Sequence, residues 1–235
     1  MLEIAVFNIE SALAAVAAGA DRLELCENPM EGGTTPSYGT LKKIRATVSI
    51  PVFPIIRPRG GDFLYSDAEF EVIQNDVRLC KELGFDGVVI GLLLPDGNID
   101  TIRTKQLVEL AYPMDVTFHR AFDRCIDPLQ GLEDIISCGC TRILTSGQVP
   151  NAIDGKELIK TLVEKADGRI IILPGSGVRS SNAADLAAYT GAKELHSSAR
   201  TSIPSSMQFI KAGMNEKMGN TGVDVEEVRK MKAAF

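Results

Sequence analysis

The sequence has no tryptophan, only two histidines, and 25 basic against 31 acidic side chains in 235 residues, a formal net charge of −6. With no basic run or stripe to neutralise a phosphate backbone, nucleic acid is excluded as the main partner. Long apolar runs are missing as well. The stretch Ile170, Ile171, Ile172 and Leu173 falls far below the roughly 18 residues that span a bilayer, so no membrane span is expected. The segment Met1 to Asn8 contains Glu3 and no positive cluster, unlike an export leader, which points to a cytoplasmic protein. Five cysteines is an odd number, and in that compartment they are expected as reduced thiols without disulfides.

What the chain does have is alternation. Short runs rich in Ile, Val, Leu and Phe recur at Leu2 to Phe7, Arg22 to Cys26, Val52 to Ile56, Gly87 to Ile90, Val116 to His119, Arg142 to Thr145, Ile170 to Leu173 and Glu194 to Ser197. Runs of this length suit strands buried on both faces, as a parallel sheet requires. Between them lie helical patterns: Glu10 to Ala18, Pro36 to Val48, Asp67 to Leu83 with Ser66 or Asp67 as cap, Thr104 to Leu110, Pro128 to Ser137, Ile153 to Ala166, Ser181 to Tyr189 and Val225 to Ala234. Eight such pairs predict an α/β fold, a single (β/α)8 TIM-type barrel over residues 1–235. An open doubly wound sheet would carry a Gly-rich turn after its first strand, where this chain has Asn8-Ile9-Glu10-Ser11. One long polar stretch, Arg200 to Gly222, containing Ser202, Ser205, Ser206, Asn215, Gly219 and Asn220, reads as a loop after the last strand that serves as a lid or a contact surface.

Barrel enzymes work at the carboxyl ends of their strands, and polar residues gather there: Glu24, Arg57 with Arg59 and Asp62, His119 with Asp123, Ser146, and His196. Period-two alternation turns Glu24, Arg57, His119 and His196 toward the barrel axis. Glu24 and His119 are candidate acid/base groups and Arg57 a catalytic charge clamp, with Arg59, Asp62, Asp123, Ser146 and His196 as substrate contacts. Gly175 and Gly177 after the seventh strand, and Ser198 after the eighth, form a candidate anion cradle. The plainer alternative is a buried Glu24–Arg57 ion pair without chemistry.

Soft ligands offer another route. Cys138 and Cys140 are spaced to share one Cu(I), although their place below the barrel also fits two small buried thiols. Cys26, near Glu24 at the top, is a candidate metal ligand or simply packed; Cys80 reads as packing, and Cys125 stays open. Met207, Met214 and Met218 are spaced as a single apolar helix stripe, which is preferred over a thioether copper site.

The runs Ala17-Ala18-Gly19-Ala20-Asp21-Arg22-Leu23-Glu24-Leu25-Cys26, Glu31-Gly32-Gly33-Thr34-Thr35-Pro36-Ser37, Ile56-Arg57-Pro58-Arg59-Gly60-Gly61-Asp62-Phe63, Thr117-Phe118-His119-Arg120-Ala121-Phe122-Asp123 and Arg142-Ile143-Leu144-Thr145-Ser146-Gly147 resemble the CutC family. The resemblance covers nearly the whole chain and implies a cytoplasmic TIM barrel, usually a homo-oligomer, that takes part in copper handling. Cys138 departs from the family pattern, whereas Cys140 matches a frequent Gly-Cys. The leading expectation is therefore a copper-homeostasis protein that binds Cu(I). The alternatives are an enzyme acting on a small anionic or phosphorylated metabolite at the barrel mouth, and a non-catalytic barrel that binds a protein partner through residues 200–222.

Overall fold

The computed structural model describes residues 1–211, 213–214 and 218–235. Strands and helices alternate in chain order: β1 (Leu2–Val6), α1 (Ile9–Ala17), β2 (Arg22–Leu25), α2 (Tyr38–Thr47), β3 (Val52–Pro54), α3 (Asp67–Glu82), β4 (Gly87–Ile90) and α4 (Thr101–Ala111). The pattern continues through β5 (Asp115–Phe118), α5 (Pro128–Cys138), β6 (Arg142–Thr145), α6 (Lys156–Ala166), β7 (Ile171–Pro174), α7 (Ala183–Thr190) and β8 (Leu195–Ser197). A hairpin of β9 (Arg200–Ile203) and β10 (Asn220–Val223) precedes the last helix, α8 (Val225–Ala234).

Two parallel four-stranded ladders, β3-β2-β1-β8 and β4-β5-β6-β7, make up the wall. Ile55, just beyond β3, bridges Val89 in the parallel sense, and the Ile56 amide donates to the Val89 carbonyl at 2.8 Å, joining the two ladders on one side. On the other side β7 and β8 are neighbours without a ladder. The result is a (β/α)8 barrel.

Local chemistry explains the helix ends. Asn8 caps α1 by accepting from the Ser11 amide, and Ser66 with Glu69 forms a reciprocal capping box at α3. Pro128 opens α5 behind the Asp127 cap, and Gly139 closes it at φ 87°, a left-handed position that favours glycine. Proline does not open α2: Ser37 caps it, and the helix starts at Tyr38. In α4 the Asp100 cap brings the start forward to Thr101. Helix α6 begins only at Lys156, after Gly155.

The outward strand residues Ile4, Leu23, Leu25, Val88, Ile90, Ile143 and Leu195 pack against Ala12, Ala15, Leu41, Ile44, Ile73 and Leu162 of the helices. Full burial of each Leu or Ile contributes about 1.5–3 kcal/mol. That shell leaves the inward positions free to be polar.

The expectation of a long polar loop over 200–222 is corrected at its ends. Its two ends pair antiparallel, Arg200 with Val223 through Ile203 with Asn220. Arg-Thr-Ser-Ile and Asn-Thr-Gly-Val bury little, so they carry none of the apolar pattern that marks barrel strands. Met207, Met214 and Met218 are exposed and not helical, which overturns the helix-stripe expectation. Asn215 lies outside the described residues.

Candidate functional site

The inside of the barrel is charged from its floor upward. Register places Glu3 beside Arg22 on one neighbouring strand and His196 on the other. Arg22 Nε meets Glu3 at 2.5 Å and its Nη2 meets Glu194 at 2.7 Å; Arg142 joins Glu194 at 3.1 Å and Asp115 at 2.8 Å. Both guanidinium groups lie over the Phe53 ring, Arg22 at 5.0 Å and Arg142 at 5.4 Å. His196 Nδ1 lies 2.7 Å from Glu3, and its Nε2 faces Glu24 at 3.8 Å. Burial opposes ionisation of Glu3, but Arg22 and His196 outweigh it and hold its carboxyl at about 2. Burial also disfavours charge on His196, yet Glu3 and Glu24 on either side raise its pKa. Glu24 moves up because it is buried and lies near Glu3, with His196 pulling the other way.

Above this network a cavity of about 260 Å³ opens at the carboxyl ends of the strands. Glu24, Arg57, His119, His196, Gly177 and Ser198 all line it. Ser176, inside the 175–177 turn, lines it too, and three residues that the sequence had not marked as site residues join them: Arg120, Arg179 and Arg200. Each follows a marked residue or motif by one to three positions, so the signal was adjacency to a strand-end motif.

His119 is 4% exposed. Burial first, and then the Arg57 charge, pushes its pKa down to about 3, so the ring is neutral. Its Nδ1 accepts from the Ala121 amide at 3.1 Å. The proton therefore sits on Nε2, which is buried without a partner among the described residues. Phe63 packs on the ring at 4.9 Å. Gly91 gives it room: a Cβ there would lie 2.3 Å from two ring atoms.

Positive charge dominates the mouth. Arg120 is held by Asp123 at 2.6 Å and by the Ser146 hydroxyl at 2.8 Å. Asp123 also accepts from the Thr145 hydroxyl and from the Ser146 and Gln148 amides. Asp123 and Ser146 thus act behind the cavity, fixing Arg120. Among the described residues Arg57, Arg179 and Arg200 have no carboxylate partner. Arg57 does not pair with Glu24; its Nη atoms donate to the Glu31, Gly33 and Gly61 carbonyls, which ties two loops to the rim. Burial and the nearby Arg179 lower the pKa of Arg200, as expected for two cations that share no anion. On the same side Ser176 and Gly177 both have positive φ, 81° and 69°. The amides of Ser176, Gly177 and Val178 have no hydrogen-bond partner among the described residues. Gly175 serves packing instead, since a Cβ would meet Leu144 at 2.5 Å and His196 at 3.1 Å.

Arg59 and Asp62 are not among the cavity-lining residues. They pair at 3.0 Å, and Arg59 also binds Glu69 at 2.5 Å and lies over Tyr65. The thiols are scattered. Cys138 donates to the Thr101 carbonyl at 3.4 Å, and Cys140 is packed in the outer core. Burial raises both pKa values. Cys26 is buried among Phe53, Ile55 and Val89, and burial with the Glu24 charge moves its thiol well up. Cys80 and Cys125 are buried. Among the described residues no group of three or more His, Cys, Asp or Glu side chains is arranged to hold a metal ion. No helix among them is long and apolar enough to cross a membrane.

Known proteins place this architecture. A CutC family protein of Chromobacterium violaceum is 51% identical over 224 residues, 95% of this chain and 90% of the relative. The human copper homeostasis protein cutC homolog is 44% identical over 236 residues, 99% of this chain and 86% of the relative. The crystal structure of a CutC protein from Streptococcus agalactiae superposes with a TM-score of 0.81 at 35% identity, covering 84% of this chain and 98% of that one. Phosphoribosylanthranilate isomerase of Thermotoga maritima shares the fold alone, with a TM-score of 0.61 and 13% identity over 99% of this chain and 97% of that one. The CutC family profile matches residues 1–201, from β1 to the start of the hairpin. The chain belongs to the CutC family.

Proposed function

We propose that the barrel mouth binds a small anionic, phosphorylated metabolite and carries acid/base groups that act on it. One observation carries this reading. In a chain of net charge −6, four arginines and three unpartnered amides meet in one cavity, against the single carboxylate of Glu24. Low-dielectric walls focus such a field, and a dianion would satisfy the unpaired guanidiniums and amides together. Arg179, Arg200 and the 176–178 amides form the anion end, while Glu24 and His119 form the acid/base end. A thermal-shift panel of phosphate esters and carboxylates tests it: a ligand at about 100 times its Kd adds about 2.7 kcal/mol of stability. No shift from any phosphate ester rejects the reading.

A second reading follows the copper-homeostasis name of the relatives. Cys138 and Cys140 do not fit a shared Cu(I), because one thiol faces a helix carbonyl and the other the packed core. Cys26 is the better cargo site, since Glu24 beside it could accept the thiol proton on capture of Cu(I). An anaerobic Cu(I) titration against a chromophoric chelator, with Cys26→Ser as control, checks this. Cytoplasmic residence and self-association belong to the same reading. Ile203, Phe209 and Ile210 expose apolar surface along and beyond the β9–β10 hairpin, and light scattering of the full chain reports whether copies associate.

A further inference from the structure

We propose that the barrel mouth is an isomerase site that moves a proton between adjacent carbons of a phosphorylated 2-hydroxy aldehyde or ketone, with Glu24 as the base and His119 Nε2–H as the electrophile. The inference rests on the anion-binding reading above and names its substrate class.

The lining residues narrow the chemistry. Among those described there is no lysine, so the site offers no amine for an imine with a carbonyl substrate. The Ser197 hydroxyl is committed to the Val178 carbonyl at 2.7 Å and the Ser176 hydroxyl to the Pro150 carbonyl at 2.7 Å. Neither has a base in the role of activator. His196 is engaged by Glu3 at 2.7 Å and Ser198 has no base beside it, so two groups are placed for proton transfer. Glu24 is 5% exposed at the cavity wall, and His119, also a lining residue, has a buried Nε2 that no protein atom partners.

These two groups complement each other. A buried carboxylate is a stronger base than one in water, and Glu24 is held at the cavity wall with His196, itself bound to Glu3 at 2.7 Å, facing it from behind at 3.8 Å. A neutral imidazole N–H donates a hydrogen bond to a carbonyl oxygen with an acidity closer to that of the enediol than an imidazolium has, so it can pass its proton over and take one back in a dry site. Glu24 projects from β2 and His119 follows β5, so a carbonyl compound anchored by its phosphate at the β7 and β8 loops would lie between them.

The step is balanced without a cofactor. Glu24 removes the proton from the carbon bearing the hydroxyl, the C–H pair becomes the C=C bond of an enediolate, and the carbonyl π pair moves to oxygen. That oxygen takes the proton of His119 Nε2, and the neighbouring hydroxyl gives its proton back to the ring. Glu24 then returns its proton to the former carbonyl carbon, so no electron is gained or lost.

The test is proton NMR in D2O with glyceraldehyde 3-phosphate, ribose 5-phosphate and glucose 6-phosphate, each paired with a thermal-shift measurement on the same sample. Expected is deuterium incorporation at the carbon next to the carbonyl together with the isomer. Glu24→Gln should slow it by at least a thousandfold and His119→Gln by about a hundredfold or more, with both variants still stabilised by the sugar phosphate. Stabilisation of the wild type without deuterium exchange overturns this inference and leaves anion binding intact. No stabilisation by any of the three overturns this inference, and anion binding falls with it when the wider phosphate-ester panel also gives no shift. Exchange that persists in Glu24→Gln overturns the assignment of the base.

Discussion

The Ala121 amide donates to His119 Nδ1 at 3.1 Å, and this one bond decides which way the imidazole can act. It fixes the proton on Nε2, in a ring that lines the cavity and is too buried to take a second. A buried neutral histidine also leaves a mark on stability. The unfolded chain protonates near 6.5 and the folded one only near 3, so between those values the unfolded state holds more protons. Stability must therefore fall as pH drops from 6.5 toward 3, by an amount on the order of 4 kcal/mol from this group. Glu3, lowered to about 2 from an ordinary 4.5, adds its own loss below 4.5. Urea unfolding of His119→Gln should show a flatter acid limb from 6.5 down to about 3, with the Glu3 loss below 4.5 still present.

Gly91 holds that ring in place by having no side chain. Its Cβ would sit 2.3 Å from Nδ1 and Cε1 of His119, so Gly91→Ala must push the ring off the Ala121 amide. The expected cost is about 1–3 kcal/mol from overpacking. Nitrogen-15 NMR of the ring should show loss of the single Nε2–H tautomer, and an unchanged tautomer signal would contradict the packing argument.

Removing Asp123 should separate stability from affinity. Asp123→Ala deprives the Thr145 and Ser146 hydroxyls of an acceptor and Arg120 of its anchor, for a loss of about 3 kcal/mol. At temperatures where the variant is folded, phosphate-ester affinity should drop about tenfold, or 1.4 kcal/mol, because Arg120 no longer points one way. Asp123→Asn, which keeps an acceptor, should recover part of both.

The floor network predicts a purely structural effect. Arg22→Met leaves Glu3 without its main counter-charge in a site 1% exposed, and breaking a buried pair on one side costs about 3–5 kcal/mol. Denaturant midpoints should fall accordingly. Relief of that loss when Glu3→Gln is added would show the unpaired charge to be its source.

The barrel was legible because its signal is repeated. Eight short apolar runs at regular spacing leave little choice of topology, and the strands Gly87–Ile90 and Arg142–Thr145 match their expected ends. Glu24, Arg57, His119 and His196 were legible through alternation, since the apolar residues before them, Leu23, Ile56, Phe118 and Leu195, must face the helices. Arg179 was not, because it follows a glycine turn whose path no periodicity describes. Arg59 and Asp62 show the converse: they stand in a motif at a strand end, yet they bind each other and Glu69, which only the turn of the backbone after Arg57 decides. The β9–β10 hairpin was invisible because its pairing is held by backbone hydrogen bonds between two polar segments. Strand-end position predicted which stretches reach the mouth better than it predicted which side chains enter it.

Calorimetry of the full chain with ribose 5-phosphate, run beside unphosphorylated ribose and repeated with Arg179→Ala and Arg200→Ala, tests the anion-binding mouth most directly. The account predicts saturable binding of the phosphate ester alone, weakened by higher salt and by at least tenfold in each variant. Absence of saturable binding, or affinity unchanged when both arginines are removed, would contradict it.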